Sequence, residues 1–152
     1  MPHCPPKEEA PKLKGTRYEF LFIATALKHG LHVFIPAGDY LPVDGIVMNN
    51  SGRMFRVQVR GTHGVRVQDK KGSRAASVSM KVGGYLANGT PNLLKPTEYD
   101  VLAAFIEDRS MWYIIPSAAI GSTWKAKFYP HVEKSKGQYE KFQENWDLFL
   151  YQ

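Results

Sequence analysis

Residues 54–60 alternate strictly, with Phe55, Val57 and Val59 apolar and Arg56, Gln58 and Arg60 polar. A strand with that pattern buries one set and presents the other on the opposite face. Asn49, Asn50, Ser51 and Gly52 come just before it, and their side chains and tolerance of positive φ suit a tight turn. Residues 43–48 and 54–60 are therefore expected to form a hairpin, a pairing that can bring Asp44 beside Gln58 and Arg60. Upstream the period becomes helical. Phe22, Ile23 and Ala26 stand three, four and seven residues after Glu19, on one face of a helix expected from about residue 17 to residue 29. Thr16 is expected to cap that helix and Gly30 to end it. Glu19 opens the apolar face and should turn toward the sheet.

The rest of the pattern is mostly strand. Residues 31–35 read as a strand after the helix, and 61–73 as a polar, turn-rich loop or short ribbon around Val65 and Val67. Val78, Met80 and Val82 alternate with Ser77, Ser79 and Lys81, a half-buried strand. Glycines and prolines break the pattern over 83–97. Two apolar runs, 99–106 and 111–115, flank a polar turn and predict a second hairpin, and residues 122–129 alternate again. Tyr139, Phe142, Trp146 and Phe149 have helical spacing, which predicts a helix over 137–151 packed on the sheet, a simpler reading of the stripe than an oligomer contact. Residues 1–14 contain four prolines and no periodic apolar pattern, so they are expected to be a flexible tail ahead of one domain over 15–152.

At 152 residues and 43% hydrophobic content the chain can bury one good core and is too short for two ordinary domains. The single Cys4 excludes an intramolecular disulfide, no Cys/His cluster has zinc spacing, and His3 beside Cys4 reads as incidental. The apolar run 20–27 follows a polar, Pro-rich leader and is too short to span a bilayer, so a cytoplasmic protein is expected. The charge is unevenly distributed. Residues 53–81 hold eight basic residues against Asp69 alone, a net +7, while the rest holds 12 basic and 13 acidic. A positive excess confined to one stretch is the electrostatic footprint of a protein that meets a phosphate backbone; an ordinary solvated basic surface is the alternative.

An acid on a helix, then Asp44, then Gln58 and Arg60 two apart on a strand is the order of a metal-dependent nuclease core. Residues 15–62, with Glu19, Gly38-Asp-Tyr-Leu-Pro-Val-Asp44 and Phe55-Arg-Val-Gln-Val-Arg60, resemble the PD-(D/E)XK nuclease superfamily. Within it they are similar to the branch of group I intron homing endonucleases and relatives of Holliday-junction resolvases. The runs 99–106 and 112–116 and the Trp-bearing C-terminal segment share the resemblance, which thus covers nearly the whole chain after residue 14. It implies an α/β fold, a single-domain restriction-endonuclease-like mixed central β-sheet flanked by helices. It also implies a Mg²⁺-dependent endonuclease, with Mn²⁺ as a substitute, acting on duplex or branched DNA as a homo-oligomer. By the same resemblance Asp44, Glu19 and the backbone carbonyl of Val59 hold the ion, Gln58 supplements them, and Arg60 stabilises charge on the attacked phosphate. Arg53, Arg56, Arg66, Lys70, Lys71, Arg74 and Lys81 are the expected DNA-binding residues.

Taken singly, each site residue has a plainer reading: Glu19 as a first-turn acid favoured by the helix dipole, Asp44 as a turn residue and Gln58 as an edge polar group. Their joint occurrence in this order favours the site. The family pattern usually ends in Lys where this chain has Arg60. A guanidinium keeps a fixed positive charge but cannot serve as a proton acceptor. A catalytically silent DNA-binding module on the same fold is therefore the competing class, and an RNA-processing nuclease a third, since such motifs recognise phosphodiester and metal rather than sugar.

Overall fold

The computed structural model describes residues 10–38, 40–64, 77–132 and 136–151 and the backbone of 66–67. Its centre is a five-stranded mixed sheet built from β1 (His32–Phe34), β2 (Gly45–Met48), β3 (Met54–Thr62), β8 (Val101–Ile106) and β9 (Met111–Pro116), in that spatial order. Three of the four pairings are antiparallel, and β3 and β8 run parallel. The expected hairpins are both present, with Gly45 opposite Val57 in the first and Ile106 opposite Met111 in the second.

β8 is buried at every position, as a central parallel strand covered on both faces should be. Its alternate residues feed two separate cores. Val101, Ala103 and Phe105 join Phe55, Val57, Val59, Trp112 and Ile114 under the helix α1 (Pro11–Lys28), which contributes Tyr18, Phe22 and Ala26. Leu102, Ala104 and Ile106 join Tyr113 and Ile115 on the other face. That second face is covered chiefly by β strands, with short helical pieces contributing Ile120 and Phe142. A three-stranded sheet, β10 (Lys125–Phe128), β5 (Ser77–Lys81) and β4 (Arg66–Val67), supplies Val78, Met80, Ala126 and Phe128. A small ribbon of β6 (Gly84–Tyr85) and β7 (Pro91–Asn92) follows β5.

Two expected boundaries change. α1 begins at Pro11 rather than near residue 17, so the last residues of the expected tail are its first turn. Proline's fixed φ suits the first helical position, and Thr16 does not cap: its hydroxyl donates to Lys12 O inside the helix. The C-terminal segment is not one helix. Among the described residues after 116, the helical pieces are the short α2 (Ser117–Ile120), a 3-10 turn at Glu140–Phe142 and α3 (Asp147–Leu150). Between the last two of these Glu144 takes φ 46°. Tyr139 and Phe142 pack in the core under the second sheet, whereas Trp146 and Phe149 pack under α1. The four aromatics with helical spacing therefore serve opposite faces, and the chain must wrap the open edge of β9 between them. Glu144 N–H donates to Trp112 O at 2.8 Å, and its carboxylate accepts from Trp112 N–H at 2.7 Å and Trp146 Nε1 at 2.8 Å. Those bonds cover an edge that would otherwise offer unpaired backbone.

The turn before β3 is tied to the same segment. Asn49, buried, accepts from Ser51 N–H, Ser51 Oγ and Arg53 N–H and donates through Nδ2 to Phe149 O at 2.8 Å. Close approach of α1 to the sheet depends on Gly61, because a Cβ there would overlap the Tyr18 ring. Gly15, in α1 itself, has open space around it: a methyl group at that position would meet nothing within 4 Å. Gly61→Ala should therefore cost about 1–3 kcal/mol by overpacking, while Gly15→Ala should gain about 0.5–1 kcal/mol from helix propensity. Thermal unfolding of both variants checks this; equal stability of the two would mean that α1 does not rest on Gly61.

Candidate active site

The site is a consequence of where β2 starts. Asp44 lies one residue before it and donates its N–H to Val57 O at 3.0 Å, the last backbone bond across that pair of strands. N–H and C=O of every second residue point to the same side of a strand, so the peptide groups of Val59 face the space beyond the end of β2. Unpaired backbone groups need other partners. The N–H donates to Asp44 Oδ2 at 2.7 Å, and the carbonyl accepts from Arg60 Nη1 at 2.7 Å.

Gln58 and Arg60, on the face opposite Val57 and Val59, converge on the same carboxylate. Gln58, 6% exposed, donates Nε2 to Asp44 Oδ2 at 2.6 Å, and Arg60 Nη1 stands 3.4 Å from that oxygen. Arg60 Nε donates to Val82 O at 3.1 Å, just past β5. Burial raises the Asp44 carboxyl above the ordinary carboxylate range, opposed by the Val59 N–H, the Arg60 charge and the Gln58 amide.

Glu19 is half-buried on α1 and lines one cleft with Asp44, Val59 and Phe22 and an adjoining one with Val59, Arg60 and Gly61. On the other side of the β3 edge, Asp44, Gln58 and Arg60 line a third cleft with Glu98 and Asn92, two residues that the sequence pattern does not single out. Glu98 carries no signal in the chain: it stands just past the Gly- and Pro-broken stretch 83–97, with no period around it. The edge at Asp44 and Val59 is the wall these clefts share. Among the described residues no cluster of three or more His, Cys, Asp or Glu forms a metal cage. The oxygens that could receive a hard cation are the Asp44 and Glu19 carboxylates and the Val59 carbonyl, a donor set of the oxygen type such ions take.

The basic residues are dispersed in role. Arg56 forks onto Asp100, Nε to Oδ2 at 3.1 Å and Nη2 to Oδ1 at 3.0 Å, and also reaches Thr97 O. The Arg53 guanidinium lies 5.2 Å from the Phe55 ring centre. Lys81 Nζ sits over the Tyr85 and Trp124 rings at 5.6 and 5.3 Å. In β10, Lys125 pairs directly with Lys81 and Lys127 with Ser79, so three exposed lysines share the outer face of the second sheet. The backbone of Arg66 lies in β4; Lys70, Lys71 and Arg74, and also Cys4 and His3, lie outside the described residues.

The chain matches the family model described as PD-(D/E)XK endonuclease over residues 9–149. It belongs to the PD-(D/E)XK endonuclease family. Members of this nuclease family generally use divalent metal ions. A bacterial homing endonuclease, I-Ssp6803I, has the same fold, with a TM-score of 0.68 at 21% identity over 94% of this chain and 93% of that one. A comparison with curated proteins gives no significant match. Among the described residues no helix is long and apolar enough to cross a membrane.

In this PD-(D/E)XK chain Glu19 is held in place by its helical neighbours. Arg17 Nη1 meets Glu107 Oε1 at 2.8 Å, Tyr18 OH donates to Glu107 Oε2 at 3.0 Å, and His63 Nδ1 lies 3.4 Å from the same oxygen. Arg17 chiefly, with Tyr18 and His63, lowers the Glu107 carboxyl from its ordinary 4.5 to about 2. A depressed folded-state value stabilises the fold above the unfolded value, and that stability is lost as pH falls through the folded one. The tie should therefore be complete above pH about 5 and vanish toward pH about 2. Glu107→Gln should flatten this part of the acid-stability curve and raise amide exchange in α1; an unchanged curve would show that the tie does not anchor the helix.

Proposed function

We propose that the chain is a metal-dependent DNA endonuclease that hydrolyses phosphodiester bonds, of the homing-endonuclease-like or junction-resolvase-like kind. The observation that carries this reading is the convergence of the half-buried Asp44 carboxylate and the Val59 carbonyl on one cation, Arg60 Nη1, with Glu19 lining the same cleft. Asp44, Glu19 and the Val59 carbonyl would hold Mg²⁺, or Mn²⁺ in its place, with the Gln58 side-chain oxygen as a supplement. The ion would supply Lewis-acid charge at the scissile phosphate and lower the pKa of an attacking water.

The chain's own residues do the rest. The Val59 N–H and the Gln58 amide fix the Asp44 carboxylate, so its orientation does not depend on the substrate. Arg60 provides fixed positive charge within reach of a phosphate in the cleft. Lys81, Lys125 and Lys127 place like charges side by side on one sheet face, an arrangement that costs stability in isolation and is relieved by a polyanion. Two symmetry-related copies would be the simplest means of cutting both strands, and a homo-oligomer is part of the proposal.

A silent DNA-binding module is the second reading, favoured by the same Arg60 contacts to Val59 and Asp44. Purified protein incubated with supercoiled plasmid and branched DNA in Mg²⁺, Mn²⁺ or EDTA separates the two. Asp44→Ala should abolish metal-dependent cleavage, and so should Asp44→Asn, which keeps an acceptor for the Val59 N–H and with it the fold. Cleavage undiminished in both variants would remove Asp44 from the mechanism.

DNA affinity should fall with salt with a log-log slope of about −0.9 per phosphate neutralised. Replacing Lys81, Lys125 and Lys127 together, or Arg66, Lys70, Lys71 and Arg74 together, should flatten that slope and weaken binding to many sequences alike. An unaltered slope in both would leave these residues as solvated surface, and a sequence-selective loss would place them in a groove.

A further inference from the structure

Arg60 is anchored to three backbone or side-chain oxygens from three different segments: the Val59 carbonyl at 2.7 Å, Asp44 Oδ2 at 3.4 Å and the Val82 carbonyl at 3.1 Å. Two of these belong to the set that would hold a divalent ion. We propose that the Arg60 guanidinium is the resident cation of this site and a built-in competitor of the metal, which loads fully only when Arg60 swings away to a phosphate. This inference rests on the ligand assignment made above and adds a regulation to it.

The chemistry follows from the two kinds of cation. A guanidinium carries one charge and satisfies the Val59 and Asp44 oxygens through directed hydrogen bonds, and its rigid fork lets Nε hold Val82 while Nη1 holds the site. In the ligand assignment above a hard divalent ion takes the Val59 carbonyl as one of its direct oxygen ligands. The short Arg60 bond occupies that oxygen on its open side, and the fixed charge repels a second cation a few ångströms away. A lysine here would be a point charge on a flexible stem, without the second donor along the stem that clamps Arg60 to Val82. The anion that can draw a guanidinium off two oxygens is one that offers two better ones, and phosphate does so bidentately. Lys81, the chain neighbour of the Val82 that holds Arg60, would help draw that phosphate in. Metal and substrate thus load together, and a protein without nucleic acid holds its metal weakly.

The test is direct Mn²⁺ binding, read by the loss of the free-ion electron paramagnetic resonance signal, in the full chain without nucleic acid. Arg60→Met keeps a long stem and removes the charge and the donors that the guanidinium offers to these oxygens. It should bind Mn²⁺ at least about tenfold more tightly than the natural chain, the scale of one charge-assisted hydrogen bond. Arg60→Lys should fall between the two and supplies the readout if the Met variant does not fold. A non-cleavable phosphorothioate duplex should tighten Mn²⁺ binding to the natural chain more than to Arg60→Met. Equal or weaker Mn²⁺ binding in both Arg60 variants overturns the proposal. With Asp44→Asn abolishing binding in every background, only the competition would have failed; Mn²⁺ binding that survives Asp44→Asn would overturn the ligand assignment and the competition with it.

Discussion

The bond from the Val59 N–H to the Asp44 carboxylate, 2.7 Å long, is the joint on which the site depends. It exists because β2 begins only at Gly45, opposite Val57, so the Val59 N–H in the middle of a nine-residue strand is left without a backbone partner on that side. An aspartate at that position satisfies the N–H from its side chain, and the neighbouring carbonyl is left facing a cleft. A polar constellation is therefore built from a backbone shortfall inside a regular sheet, and its geometry is as rigid as the strand that carries it.

That rigidity comes from burial on both faces. β3 and β8 are the parallel pair at the centre, and the alternate residues of β8 serve one core each. The helix that carries Glu19 closes one face through Tyr18 and Phe22, so the depth of its seating, set by Gly61 against the Tyr18 ring, also sets the width of the cleft that Glu19 lines. The second sheet closes the other face through Val78, Met80 and Phe128, and its trailing residue Val82 supplies the carbonyl that holds Arg60. Core packing and site geometry thus share residues, and a change in either face reaches the Asp44 edge.

Strict alternation makes β3 and the first hairpin legible from the chain, because register in a half-buried strand has only one consistent solution, and two apolar runs about a polar turn reveal the second. The meeting of Asp44, Gln58 and Arg60 follows from that register. What cannot be read is set by contacts distant in sequence. The four C-terminal aromatics have helical spacing, yet two belong to each core, and the β9 edge they must cross forbids one helix. Nothing local marks Glu144 as the break; its carboxylate is fixed by Trp112, 32 residues away. The start of α1 is hidden because a proline in a Pro-rich run reads as a breaker, when at the first position of a helix it is favourable. Arg56 reads as a free basic residue on the polar face, but its partner, Asp100, lies 44 residues on.

Arg60, in place of the usual lysine, and the uncharged Gln58 make sense together. Gln58 Nε2 lies 2.6 Å from Asp44 Oδ2, a distance at which a second carboxylate would repel the first and a neutral amide stabilises it. With Gln58 uncharged, the anionic charge of the site falls to that of Asp44 and Glu19, and Arg60 offsets part of the remainder. Three donors then surround one oxygen: an amide, a peptide N–H and a guanidinium. A carboxylate so supplied is satisfied by the protein alone. The neutral Gln58 amide thus lets the edge at Asp44 and Val59 be held by donors of the chain itself, with the Arg60 charge completing the set.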